Sequence, residues 1–224
     1  MKTVAHVRSI ARRLKGRSVQ SDAVRHVWHI HDVVDENLPA TIQRTYIEHK
    51  MLRSILGELE QHWKCAADIG CGFGRNIPIL QEFADKVVGF EREPQFRTIA
   101  QSLHPDAVIR NYPLSPLDDS TRFSFSMCFT FLQHLFEPDA QNILSAAKQF
   151  TEGGYMLLVE DTQGPVLSYD PLKRGDRIYI PRPVETYQTW MMPFKLIKVW
   201  PRPIEATFSC PGWAGAFMLF VDRS

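Results

Sequence analysis

The sequence predicts an α/β fold, a doubly wound and mainly parallel sheet with helices on both faces. Three observations carry that expectation. From residue 65 onward, short apolar runs alternate with stretches of helical periodicity, the pattern of a parallel sheet. The first run ends in an acid and a glycine loop, Asp68-Ile69-Gly70-Cys71-Gly72-Phe73-Gly74-Arg75-Asn76, and an apolar helical pattern follows at Ile77, Leu80 and Phe83. The second run, Lys86–Glu91, also ends in an acid, and its distance from the glycines fits one helix plus one strand.

The elements follow in chain order. Residues 1–25 hold seven basic residues against one acid, Asp22, and place Val4, Val7, Ile10, Ala11 and Leu14 at helical spacing. They read as a basic amphipathic helix or arm. Residues 22–60 read as helical, with Asp22 as a cap, Pro39 separating two helices, and an apolar face of Met51, Leu52, Ile55, Leu56 and Leu59. Strands are predicted near 65–69, 86–91, 107–110, 123–129 and 154–160, with helices near 74–84, 94–103 and 138–150. Pro138 suits a first helical turn. Residues 161–182 are rich in glycine, proline and polar groups and read as a long loop. A short helix over Pro183–Met192 precedes two strands, Lys195–Trp200 and Ala216–Val221.

Composition bounds the rest. The 224 residues, 44% hydrophobic and 23% charged, suffice for one well-buried domain and are too few for two full ones. We therefore divide one globular unit into a helical arm or lid, residues 1–60, and an α/β part, residues 61–224. A net charge of +1 sets up no global field toward nucleic acid. No apolar run reaches the ~18 residues of a membrane span, and the basic N-terminus has no apolar core of a secretory signal. Cys65, Cys71, Cys128 and Cys210 form no Cys-x-x-Cys pair. That usage fits a reduced, cytoplasmic protein with no zinc site and no disulfide framework.

The loop itself indicates the ligand. Its spacing is Gly-x-Gly-x-Gly, which departs from the dinucleotide fingerprint, and the phosphate-cradling Gly-x-x-x-x-Gly-Lys-Ser/Thr is absent. Asp68 at the strand end would repel a pyrophosphate but suits a ligand carrying an ammonium group. A carboxylate at Glu91 can accept hydrogen bonds from both hydroxyls of a ribose.

With these residues in place, the chain resembles the class I S-adenosylmethionine-dependent methyltransferases. Asp68–Asn76 is similar to that family's first motif and Val88-Gly89-Phe90-Glu91 to its second. Phe123–Leu135 looks like its fourth strand and following loop, and Gly153–Glu160 like its fifth strand. The resemblance covers roughly residues 45–160 well. It implies a Rossmann-like, mainly parallel seven-stranded sheet with a C-terminal antiparallel hairpin and N-terminal helices. It also implies S-adenosylmethionine as cofactor and S-adenosylhomocysteine as product.

Site roles follow from the same resemblance. Gly70, Cys71, Gly72, Gly74 and Asn76 would form the cofactor loop, with Asp68 toward the ammonium and Glu91 on the ribose. Arg92, Asn111 and Tyr112 would border the adenine, Asn111 standing where the family often has an acid. Thr130 and Phe131 would line the methyl end. His134 is the candidate general base, since imidazole titrates near neutral pH, with His29, His31, Glu160, Asp161 and Tyr169 as rivals. His29, His31, Tyr46 and Tyr169 are the candidate acceptor-binding residues. Arg177 and Arg182 are either anion ligands or surface arginines. No metal ligand set is expected.

The expected reaction is methyl transfer to an oxygen or nitrogen of a small-molecule acceptor. Two alternatives stay open: an RNA or protein methyltransferase using the basic arm, and a non-catalytic scaffold that binds the cofactor. The sequence leaves the oligomeric state open.

Overall fold

A computed structural model describes residues 38–111, 122–151, 153–164, 166, 179–203 and 212–222. Seven strands form one sheet in the order β3-β2-β1-β4-β5-β7-β6. Strand β1 (Ala66–Ile69) lies parallel between β2 (Val87–Glu91) and β4 (Phe125–Phe129). Strand β3 (Val108–Asn111) flanks β2, and β5 (Tyr155–Gln163) flanks β4, both parallel. Strand β7 (Ala214–Val221) runs antiparallel between β5 and β6 (Lys195–Pro201). The chain order reverses beside β1, so the crevice outside the carboxyl ends of β1 and β4 is the topological switch point, where such sheets bind ligands. The seven strands, the mainly parallel order and the terminal antiparallel pair all match the predicted fold.

Side-chain alternation builds a core on each face of the sheet. In β5, Met156 and Leu158 enter one apolar cluster, with Phe90, Phe123 and Phe220. Leu157 and Val159 enter the other, with Phe125 and Phe217. Helix α4 (Glu137–Phe150) covers the first through Ala140, Ile143 and Leu144, and α5 (Val184–Met191) joins it through Tyr187 and Met191. Helix α1 (Leu38–Glu58) covers the second with Leu52, Ile55 and Leu56, and the short α2 (Ile77–Leu80) with Ile77, Ile79 and Leu80. Helix α3 (Pro94–Leu103) links β2 to β3 and buries Phe96, Ile99 and Ala100.

Two local expectations change. The helix expected over 74–84 shrinks to α2, because the chain beyond it makes tight i→i−3 bonds, Glu82 N–H to Ile79 and Phe83 N–H to Leu80. Pro39 lies in the first turn of α1, where its missing N–H forfeits no helical bond, and the helix expected before it lies outside the described residues. Strand β5 runs on to Gln163, through a register shift between Asp161 and Gln163. Among the described residues, no helix is long and apolar enough to cross a membrane.

Candidate active site

The glycine loop turns out of β1 with φ values of +75° at Gly70 and +56° at Gly72, conformations that strain any residue with a Cβ. The two positions differ in what surrounds them. A Cβ on Gly70 would lie 2.3 Å from Cγ of Phe131, inside the ring's contact radius, whereas a Cβ on Gly72 would meet nothing within 4 Å. Gly70 is therefore required by the protein's own packing, and Gly72 borders open space beside the main chain.

Glu91 ties this loop to the next strand. Its Oε2 accepts the Gly72 N–H at 2.9 Å and its Oε1 accepts the Glu93 N–H at 2.8 Å. Burial raises the Glu91 pKa above the usual carboxylate value, and the two backbone donors pull it back. Each oxygen keeps a lone pair that a ligand hydroxyl can use.

Asp68 is the outlier of the site. It is fully buried, and among the described residues neither carboxylate oxygen has a hydrogen-bond partner. Burial pushes its pKa up to about 7, Arg75 opposes the rise and Glu91 adds to it. A buried acid without donors is unfavourable unless a cation or donor arrives. The amide oxygen of Asn76, also buried, likewise has no partner among the described residues. These residues fit a ligand that brings a cationic N–H group to the end of β1 and a diol to the end of β2.

The other predicted residues fall as follows. Cys71 is buried, and its sulfur packs against Gly89 of β2. Burial raises the thiol pKa, so it has the character of an inert core group. Gly74, at φ +85°, lies under the His104 ring. Asn111 ends β3, and its amide oxygen accepts Arg97 Nη1 at 2.9 Å. Arg92 is exposed and meets Glu93 at 3.2 Å. Thr130 sits just past β4 with φ +49°, and its Oγ1 accepts Arg75 Nη2 at 3.3 Å. His134 closes a 3₁₀ turn, Leu132–His134, with its ring edge-on to Tyr179 at 5.5 Å between centroids. Tyr46 is 65% exposed on α1, with Lys50 Nζ 5.8 Å over its ring. His29, His31, Tyr112, Tyr169 and Arg177 lie outside the described residues, as does the basic arm.

Three candidates take other roles. Glu160 accepts the backbone N–H groups of Phe131, Leu132 and Gln133 at 3.1, 2.9 and 3.2 Å. It caps the 3₁₀ turn that carries His134. Its pKa is raised to about 7, first by burial, with the three donors opposing. Asp161 pairs with Arg202 at 2.7 Å. Arg182 is buried, donating to the carbonyls of Leu132 at 2.9 Å and Leu135 at 2.5 Å. It is neither a surface arginine nor an unengaged anion ligand.

Sequence reading missed a buried charge network at this end of the sheet. Glu48, on α1, is fully buried; it pairs through Oε2 with Arg75 of the loop and through Oε1 with Arg202 beyond β6. Arg202 continues to Asp161. Arg44 joins by charge, and its buried Nε has no partner among the described residues. The one sequence signal was an Arg44–Glu48 spacing of four on the face that also carries Leu52.

Residues 67–158 match the family profile described as a methyltransferase domain. No curated protein matches the chain at a significant level. Many solved structures share the fold. A protein from Pyrococcus horikoshii aligns with TM-score 0.67 and 11% identity, over 88% of this chain and 100% of that chain. A 1,6-didemethyltoxoflavin-N1-methyltransferase from Burkholderia thailandensis, with 1,6-didemethyltoxoflavin and S-adenosylhomocysteine bound, aligns with TM-score 0.57 and 17% identity, over 79% and 78%. A magnesium protoporphyrin IX methyltransferase from Synechocystis, with S-adenosylhomocysteine bound, aligns with TM-score 0.59 and 13% identity, over 98% and 95%.

Proposed function

Residues 67–158 are a methyltransferase domain of the class I S-adenosylmethionine-dependent enzymes, and from that premise we propose that this chain transfers the cofactor's methyl group to an oxygen or nitrogen of a small-molecule acceptor. The observation that carries the assignment of the site is Asp68, a buried carboxylate whose two oxygens have no partner among the described residues, on the strand that leads into the loop of Gly72. When bound, S-adenosylmethionine supplies a sulfonium methyl open to in-line displacement.

The chain's own residues do the rest. Asp68 holds the ammonium of the amino-acid end, and Glu91 accepts the ribose hydroxyls while its backbone bonds keep it fixed. Thr130 and Phe131, at the end of β4, border the methyl. Positioning of this kind can supply about 7–11 kcal/mol of the barrier. On this reading His134, on a turn held by Glu160 and Arg182, takes the acceptor's proton, a step worth about 10²–10⁴ in rate. The small-molecule class is favoured by the Burkholderia neighbour, whose bound acceptor is small.

Calorimetric titration with S-adenosylmethionine and S-adenosylhomocysteine tests the reading. One saturable site for both, weakened in Glu91→Ala, is the expected result. Binding that is unchanged in Glu91→Ala would remove the ribose role. An acceptor screen with labelled methyl donor then tests the small-molecule reading, and turnover only on RNA or protein would overturn it.

A further inference from the structure

We propose that Glu48 is a positioning residue: by holding the Arg75 guanidinium, it keeps Arg75 off Asp68 and leaves that carboxylate open for the cofactor's ammonium group. The proposal rests on the reading of Asp68 given above.

Arg75 belongs to the same loop as Gly70–Gly74, and its charge is felt at Asp68. A guanidinium is the natural partner of a buried carboxylate, through paired N–H donors. Yet both Asp68 oxygens lack a donor among the described residues. The Arg75 side chain is directed elsewhere. Its Nη1 pairs with Glu48, its Nη2 reaches Thr130 Oγ1 at 3.3 Å, and its guanidinium lies 4.8 Å over the Phe129 ring.

Glu48 can hold it because Glu48 is itself fixed. It is fully buried, and Arg202 binds its other oxygen while also binding Asp161. Glu48 comes from α1, outside the methyltransferase-domain match that begins at residue 67. The helix thus reaches over the cofactor loop and sets its charge. Around Asp68 the charged or titratable neighbours are Arg75 from the loop, Glu91 from β2, and the buried thiols of Cys71 and Cys128. Around Arg75 they are Glu48, Arg44 and His49 from α1. Once Glu48 loses its charge, Asp68 is the remaining buried acid without a partner, and Arg75 turns to it.

The test is S-adenosylhomocysteine binding by calorimetry from pH 6 to 9. Glu48→Gln should weaken binding at pH 8 by about tenfold or more and move the midpoint of its pH dependence downward, because Asp68 has gained a cationic partner. The double variant E48Q/R75M should return to within about threefold of wild type. Replacing both members of a buried pair is often tolerated where removing one is not. Should E48Q fail to fold, Arg75→Met alone decides. An arginine already held off the site is dispensable, so R75M should bind within about threefold of wild type at pH 8. A loss of about tenfold or more in R75M would make Arg75 a direct ligand and overturn the proposal. So would E48Q binding with unchanged affinity and midpoint, or a double variant no better than E48Q. Asp68→Asn separates the two levels. Unimpaired binding there overturns the ammonium reading and the proposal with it; impaired binding beside a normal E48Q overturns the proposal alone.

Discussion

Asp68→Asn should raise the stability of the ligand-free protein while weakening its hold on the cofactor. The folded carboxyl titrates near 7 against an ordinary 3.8. A difference of that size corresponds to about 4 kcal/mol. The sign follows from proton counts. Between those two pH values the unfolded chain has released the Asp68 proton and the folded chain keeps it. Stability therefore falls as pH rises from about 4 to about 7 and stays lowered above that. Asparagine carries no charge and escapes this loss, but its buried NH₂ without an acceptor costs about 1–3 kcal/mol. The net gain at pH 8 is about 1–3 kcal/mol, or several degrees in melting temperature for a chain of this size. The gain should vanish toward pH 4. Cofactor affinity moves the other way: losing a charge-assisted bond of about 1.5–3 kcal/mol weakens S-adenosylhomocysteine binding about 10- to 150-fold. Thermal melts at pH 4 and pH 8, with calorimetry at pH 8, measure both sides. A variant that melts lower at pH 8 and also binds poorly would refute the reasoning, since ordinary misfolding explains that pair. Unchanged binding would refute the ammonium role.

Other outcomes follow from the same geometry. In the wild type, S-adenosylhomocysteine affinity should drop about tenfold from pH 8 to pH 6 as Asp68 takes up a proton; a flat profile by calorimetry counts against Asp68 as the titrating group. Gly70→Ala and Gly72→Ala should part company. Gly70→Ala drives a Cβ into the Phe131 ring and should destabilise the apo protein by about 2–4 kcal/mol in denaturant unfolding. Gly72→Ala meets no neighbour, so it should cost only about 1–2 kcal/mol of stability yet weaken cofactor binding about tenfold or more. His134→Gln should lower turnover by about 10²–10⁴ with cofactor affinity intact; retained turnover would make His134 a packing residue against Tyr179.

The sequence by itself determined the sheet and the meeting of the glycine loop with Glu91 at its edge. Ala66–Ile69 and Val87–Glu91 are strands because short apolar runs must be buried on both faces, and the glycines between them can serve only a tight turn. Asp68, the glycine loop and Glu91 meet because the loop and the strand end are adjacent in the fold, and Gly72 donates to Glu91 across nineteen positions of sequence. Tertiary structure decided which charges are used. Tyr46 and Glu48 are two residues apart on one helix, yet Tyr46 faces solvent and Glu48 is wholly buried. Glu160, readable as a rival general base, accepts three backbone N–H groups of the turn that bears His134. Glu48 and Arg202 stand 154 positions apart, and no periodicity within a ten-residue window links them. The physical reason is that apolar burial is written locally, residue by residue, in a period of 2 or 3.6. A buried charge is tolerated or costly only according to the partners that the fold brings to it.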